Sequence, residues 1–176
     1  MGRIDPPAPK EYADYYGRYV ALVSGRDILA CLADELNETR QVLGRVPPEL
    51  ESHRYDEGKW TVRDIVGHLI DTERVFAYRA MSFARGDVGP LPGMDQDEWA
   101  RTAQADATPL PDLSREFAQV RASTIALFSR LDSTALAQTG LASGVEFTVR
   151  ALAYIIAGHE IHHRTILEER YRLADL

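Results

Sequence analysis

Four long segments of the chain carry apolar residues at helical spacing, and this pattern restricts the possible folds most. They span residues 27–43, 61–85, 112–131 and 148–171. In the first segment Ile28, Leu32 and Leu36 recur close to a 3.6-residue period. No segment shows sustained apolar–polar alternation with hairpin signals, so we expect little or no β-sheet. Four amphipathic helices bury their apolar stripes against one another, and the predicted fold class is all-α, a four-helix bundle.

Capping residues locate the ends of two predicted helices. Thr61 suits the N-cap of the second helix, and Asp64 three residues later completes a weak capping box. Gly86 is well placed to follow the last turn of that helix. Thr148 suits the N-cap of the fourth helix. The sequence therefore indicates where the second and fourth helices begin.

Two of the segments outside the four helices carry predictions of their own. The residues before 27 include several tyrosines, and we expect a short extra helix there, packed on the outside of the bundle. Residues 86–111 contain seven proline and glycine residues, which predicts a long crossover loop between the second and third helices. Loops of this length often cover functional sites, and Trp99 would be unusual in a purely solvated loop. A plain surface crossover is the alternative.

Length, charge and cysteine content narrow the class of protein. A chain of 176 residues predicts a single domain spanning 1–176. The longest apolar run, 151–157, is far shorter than the roughly 20 residues of a membrane span, so we expect no membrane partner. A net charge of −7 without a basic face argues against a nucleic-acid partner. Cys31 is the only cysteine and the first ten residues lack a signal-peptide pattern, so we expect a cytoplasmic protein.

Three of the five histidines fall on predicted buried faces. His159 and His163 lie on the apolar seam of the fourth helix, one turn apart, whereas His162 lies one step off that seam. His68 falls beside the apolar residues of the second helix. His53 lies in a polar loop, where we expect it to be solvated.

Buried imidazoles need partners, and a divalent metal ion satisfies three of them at once. The i, i+4 spacing of His159 and His163 is a standard way for a helix to offer two nitrogens to one ion. The alternative for each histidine is an ordinary hydrogen-bonded core residue. Gly67 and Gly158 directly precede His68 and His159, and a mid-helix glycine is unfavourable. It indicates either close packing or room beside a metal.

Residues 159–163 also match the H-E-x-x-H pattern of zinc peptidases, in which Glu160 would be the general base. We reject that interpretation because Ile166 and Glu169 replace the glycine and histidine of the extended metzincin pattern. Only 13 residues follow His163, and no sheet edge is expected to bind a peptide. Glu160 remains a candidate acid or base, or a support for the ligands; an ordinary, partly exposed helix glutamate is the alternative.

The segments 59–69 (KWTVRDIVGHL) and 156–163 (IAGHEIHH) resemble the second-helix and fourth-helix motifs of the DinB superfamily. The likeness extends to 15–23, 76–79 and 91–95 and covers most of the chain. It implies a four-helix bundle with one divalent metal ion, typically zinc or nickel, on His68, His159 and His163. Dimers are common in the family, and characterised relatives include bacillithiol- and mycothiol-dependent S-transferases and a mycothiol-dependent maleylpyruvate isomerase.

Three neutral histidines leave coordination positions open, as in catalytic zinc sites. The first hypothesis is a metal-dependent enzyme that transfers a low-molecular-weight thiol to a small electrophile. The thiol would be a co-substrate, because Cys31 falls on the first helix with Leu32 and is expected in the core. The alternatives are a metal-dependent hydrolase acting on a small molecule and a non-catalytic, stress-associated metal-binding protein. Imidazole donors suit zinc, nickel, copper and iron alike, and argue against magnesium and calcium.

Overall fold

The computed structural model describes residues 3–173, and within them the four predicted long helices are present. They are α2 (Ile28–Gly44), α3 (Val62–Ala84), α5 (Leu110–Ser129) and α7 (Val149–Glu169). Three short helices accompany them, α1 (Gly17–Leu22), α4 (Gln96–Thr102) and α6 (Ser133–Leu136). A hairpin of β1 (Thr139–Ala142) and β2 (Val145–Thr148) precedes α7. The all-α bundle prediction is thus confirmed for the bulk of the chain.

The four long helices form a bundle in which helices consecutive in sequence do not all lie side by side. α2 packs against α5 and α7, and α3 packs against the same two helices. α2 and α3 therefore occupy opposite corners of the bundle, as do α5 and α7. This arrangement places one face of α3 directly against α7.

Capping explains where α3 and α7 begin. The Thr61 hydroxyl accepts from the Asp64 amide at 3.0 Å, and the Thr61 amide donates to the Asp64 carboxylate at 2.9 Å. The Thr148 hydroxyl accepts from the Ala151 amide at 3.2 Å. Gly86, just beyond α3, has a positive φ of 89°, a conformation that glycine adopts without strain. All three predicted caps are confirmed.

The hairpin and the short helices α4 and α6 were not predicted from the sequence. The hairpin strands have only four residues each, too short for a sustained alternation of apolar and polar side chains. The signal was in the turn, where Ser143 and Gly144 both have positive φ, 55° and 74°. Such a two-residue turn matches the twist of paired antiparallel strands.

The N-terminal segment was expected on the outside of the bundle, and this prediction is wrong. Tyr19 is 5% exposed and Val23 is fully buried, so α1 is part of the core beside α7. Ile4 is also buried, and its carbonyl accepts from the Tyr154 hydroxyl at 2.9 Å. Burial of the apolar side chains of Ile4, Tyr19 and Val23 favours this docked position over a peripheral one.

The crossover between α3 and α5 contains the short helix α4 and a parallel bridge between Leu91 and Ala142 of the hairpin. Trp99 of α4 is 43% exposed, so it does not seal the crossover against the bundle as a core residue would. No helix within residues 3–173 is long and apolar enough to cross a lipid bilayer.

Candidate metal centre

Three imidazoles converge at the contact between α3 and α7. The Nε2 atom of His159 lies 3.1 Å from Nε2 of His68 and 3.1 Å from Nε2 of His163. One ligand atom from each of the three residues lies within 4.8 Å of the others. The structure therefore brings together the three histidines that the sequence selected, although metal binding by them stays a prediction.

Tight helix packing explains the glycines that precede two of these histidines. A Cβ atom on Gly158 would lie 2.0 Å from the carbonyl oxygen of Tyr19, and a Cβ on Gly67 would lie 2.6 Å from Cβ of Ala105. Both positions require the absence of a side chain. The glycines make room for neighbouring chain, so close packing is the reason for them rather than space beside an ion.

Burial keeps the three imidazoles neutral. Loss of solvent lowers the pKa of His68 to about 4. Burial, with the neighbouring imidazoles, lowers the pKa values of His159 and His163 well below the ordinary value. Neutral imidazole is the form that coordinates a metal ion, so these residues need not lose a proton at neutral pH before they bind one.

Neighbouring side chains orient the imidazoles. The Thr72 hydroxyl, one turn beyond His68 on α3, lies 3.3 Å from its Nδ1 atom, which leaves Nε2 free to face the other two rings. The Trp60 indole packs on His68 with ring centroids 4.7 Å apart. The Tyr19 and His159 rings pack edge to face with their centroids 5.3 Å apart.

The donor set fits a transition-metal ion. Zinc binds imidazole nitrogen at about 2.0–2.1 Å, so two nitrogens on one tetrahedral ion lie about 3.3 Å apart. The observed 3.1 Å separations of the Nε2 atoms are close to that value. Three neutral nitrogen donors, with no carboxylate among the grouped residues, match zinc, nickel or copper and not the oxygen-seeking magnesium or calcium ions.

Two cavities border the histidine group, one at His68 and His159 and the other at His163. The first, which we name the tyrosine cavity, has a volume of about 110 Å³. Its lining includes Tyr16, Tyr19, His68, Thr72, Arg79 and His159. The second, the tryptophan cavity, has a volume of about 490 Å³ and is more open to solvent. Its lining includes Trp60, Asp97, His163 and Tyr171. An ion between the three rings would border both spaces.

The crossover contributes to both cavities. Met94 and Gln96 line the tyrosine cavity, and Asp97, at the start of α4, lines the tryptophan cavity. The segment is therefore more than a plain surface connection, since it borders the space on each side of the histidines.

Glu160 is neither partly exposed nor grouped with the histidine nitrogens. It is 1% exposed, and its Oε2 accepts from Nη1 of Arg121 at 2.5 Å. Arg121 also donates to both carboxylate oxygens of Glu73, at 2.9 and 2.7 Å, and to the Leu32 carbonyl at 2.7 Å. This network joins all four long helices beside the metal centre. It gives Glu160 a structural partner, and its use as an acid or base stays a prediction.

The remaining two histidines lie outside the group. His162 packs against Tyr19 with ring centroids 5.5 Å apart and is only partly buried. His53 is exposed in the loop before α3, as expected. Neither belongs to the cluster of potential ligands within residues 3–173.

Tyr19, Thr72 and Arg79 border the site but were not predicted from the sequence as site residues. Thr72 and Arg79 follow His68 by 4 and 11 residues, which places them on the same face of α3. That spacing was available from the sequence. The position of Tyr19 depends on how α1 docks on α7, which no local pattern indicates.

Comparison with known proteins gives the family. Residues 32–167 match the DinB superfamily. A protein of Oceanobacillus iheyensis, whose name proposes a metal-dependent hydrolase, is 27% identical over 130 residues, covering 72% of this chain and 73% of its own.

Two solved structures from Bacillus subtilis share the fold. YfiT, described as an expected metal-dependent hydrolase with an unusual four-helix bundle topology, aligns with a TM-score of 0.71 and 14% identity over 99% of this chain and 94% of its own. The DinB-like protein YjoA aligns with a TM-score of 0.60 and 20% identity over 84% of this chain and 90% of its own. With most of its length matched to the family and its bundle shared with these structures, the chain belongs to the DinB superfamily.

Proposed function

We propose that this protein is a metal-dependent enzyme that transfers a low-molecular-weight thiol to a small electrophile. His68, His159 and His163 would hold one zinc or nickel ion. The observation that carries the proposal is that two separate cavities border the histidine group, one lined by His68 and His159 and the other by His163, because a transfer reaction needs room for two reactants at one centre.

A divalent ion on three imidazoles supplies an open Lewis-acidic position that lowers the pKa of a bound thiol or water. The chain's own residues provide the surroundings of that position. Thr72 holds the His68 ring in place, the Trp60 ring packs against His68, and the Tyr19 ring packs against His159.

The thiol has to be supplied by a second molecule. Cys31, the only cysteine, is 1% exposed on α2, and burial raises its pKa to about 11. A buried thiol with a raised pKa is a poor nucleophile. This supports a thiol co-substrate rather than an enzyme cysteine.

Hydrolysis is the second candidate, and the names of two relatives favour it. Within the described residues no aspartate or glutamate lines the tyrosine cavity, so hydrolysis there would lack a carboxylate base; Asp97 lines the tryptophan cavity instead. A metal ion alone can bring water to a neutral pKa, which keeps hydrolysis open as an outcome of the test. A purely structural metal would have no need of cavities bordering its ligands.

Electrophile consumption by zinc-loaded protein, with and without a panel of cellular thiols, tests the proposal. We expect loss of 1-chloro-2,4-dinitrobenzene to rise at least tenfold above the uncatalysed rate with one thiol of the panel. His159→Ala should remove this increase, and His162→Ala, its matched control, should retain it. Metal-dependent ester hydrolysis that no thiol alters would instead support the hydrolase. Full activity in His159→Ala would remove the metal centre from either reaction.

A further inference from the structure

Arg79 carries a buried positive charge that no acidic side chain within residues 3–173 balances. The residue is 3% exposed, and none of the ion pairs in this range includes it. Arg121, by contrast, is paired with two glutamates. Burial lowers the pKa of Arg79, as expected for a charge without a partner. An unpaired buried charge is costly, so it calls for a reason.

Only one of the three nitrogen atoms of the Arg79 guanidinium donates hydrogen bonds to the protein. Nη2 donates to the Pro92 carbonyl at 2.9 Å and to the Ser143 hydroxyl at 2.8 Å. Nε and Nη1 have no hydrogen-bond acceptor in the described part of the chain. Neither atom is among the fully buried side-chain atoms that lack a hydrogen-bond partner. Three N–H donors of a fixed cation therefore have no acceptor in the protein, on a side chain that lines the tyrosine cavity.

Arg79 and the metal centre lie along one face of α3. Eleven residues separate Arg79 from His68, which corresponds to about 16 Å of helix rise. Both side chains lean toward the N-terminus of α3, and Arg79, which has the longer side chain, reaches further in the direction of the imidazoles. Arg79, His68 and His159 all line the tyrosine cavity. A single small molecule in the tyrosine cavity can therefore approach both groups.

The rest of the cavity wall is compatible with an anionic, partly apolar molecule. Tyr16 and Phe76 present aromatic rings 6.1 Å apart, and no carboxylate among the described residues lines the cavity. An anion entering this space meets a desolvated cation without a competing negative charge. Hydrogen bonds from charged donors are about twice as strong as neutral ones under these conditions.

We propose that Arg79 binds an oxyanion group of the small molecule on which the metal centre acts, so that the substrate class is a carboxylate- or phosphate-bearing small molecule with an apolar body. This assignment rests on the proposed function, because it takes the tyrosine cavity as the substrate site. A purely structural Arg79 would need only the two Nη2 hydrogen bonds that tie the crossover to the hairpin turn.

Calorimetric titration of the full-length protein with benzoate, phenyl phosphate and benzamide tests this role. Titrations are made with one equivalent of zinc and again without metal. We expect at least one anion to bind ten or more times tighter than benzamide in both states. Preference for benzoate would identify a carboxylate substrate, and preference for phenyl phosphate a phosphate ester.

Arg79→Gln should weaken binding of the preferred anion at least tenfold, and Arg79→Lys should restore part of the loss. Arg74→Gln is the matched control, since Arg74 lies on the same helix with an exposed side chain and does not line the cavity. Equal affinities for anion and benzamide in the wild-type protein would overturn the inference, whichever variants fold. Anion binding that needs zinc and is unchanged in Arg79→Gln would also overturn it. A protein that binds no zinc would contradict the proposed function instead. The metal-free titration would then still test whether Arg79 binds the anion.

Discussion

The Nε2 atoms of His68 and His159 lie 3.1 Å apart although 91 residues separate the two histidines in the sequence. One residue belongs to α3 and the other to α7, so an ion between them would join two helices of the bundle. Ligands that bind only the folded state raise the free energy of unfolding by mass action.

Zinc should therefore stabilise the protein against urea. At a free zinc concentration about 1,000-fold above its Kd, we expect the free energy of unfolding to rise by roughly 4 kcal/mol. His162→Ala should show the same increase, and His68→Ala should show little or none. The measurement is urea unfolding followed by circular dichroism, with zinc and with a chelator. Identical midpoints in the two conditions would argue against a metal site between α3 and α7.

Arg121 should be among the most sensitive positions in the bundle. Arg121→Met leaves the carboxylates of Glu73 and Glu160 buried together without a cation, and we expect a loss of about 3–5 kcal/mol in unfolding free energy. Neutralising both carboxylates in the same chain should recover part of that loss. Arg115→Met, on the same helix but with a 66% exposed side chain, is the control and should change stability by less than about 0.5 kcal/mol. Similar losses in both variants would mean that the network is not buried as described.

Gly158→Ala tests the close approach of α1 to α7. The added Cβ would meet the Tyr19 carbonyl oxygen at 2.0 Å, so α1 has to shift, and we expect a cost of about 3 kcal/mol in thermal or urea unfolding. Gly44→Ala at the end of α2 is the matched control. It meets no atom within 4 Å and should be neutral or stabilising by up to about 1 kcal/mol. A neutral Gly158→Ala variant would place α1 away from α7.

Acid should weaken the attachment of the N-terminal segment through Glu11. Its carboxylate accepts from Nε of Arg150 at 2.7 Å and from the Thr148 hydroxyl at 2.8 Å, and the Arg150 guanidinium holds its pKa at about 2. Because the pKa in the folded state lies below the unfolded value of 4.5, the stabilisation is complete above pH 4.5 and is lost as pH falls toward 2.

Glu11→Gln removes this contribution. We expect it to cost about 2 kcal/mol in unfolding free energy near neutral pH, with the difference from wild type shrinking between pH 4.5 and pH 3. Urea unfolding at a series of pH values measures it. If the difference in unfolding free energy grew on acidification, the pKa of Glu11 in the folded state would have to lie above the unfolded value and not below it.

Apolar periodicity, together with caps, located the long helices to within a few residues. The segment 61–85 corresponds to α3 (Val62–Ala84), because apolar spacing and a capping box act within a few residues of one another. The hairpin was missed since its strands are too short to show alternation. The burial of α1 was missed because docking of a short segment depends on the surface that it meets.

The three histidines could be selected from the sequence because each lies on an apolar face, where a polar ring is out of place. Arg79 and Arg121 lie on equally buried helix faces, but long cationic side chains often extend to solvent from such positions. Only the packed structure distinguishes a guanidinium held by two carboxylates from one that faces a cavity.

Zinc stoichiometry tests the central claim, that three histidines from two helices hold one ion. Protein produced without a histidine tag is dialysed against zinc, and bound metal is measured by mass spectrometry of the native protein and by elemental analysis. We expect about one zinc per wild-type chain and per His162→Ala chain, and none in His68→Ala, His159→Ala or His163→Ala. One zinc per chain retained in folded His159→Ala, or none in the wild-type protein, would contradict the claim.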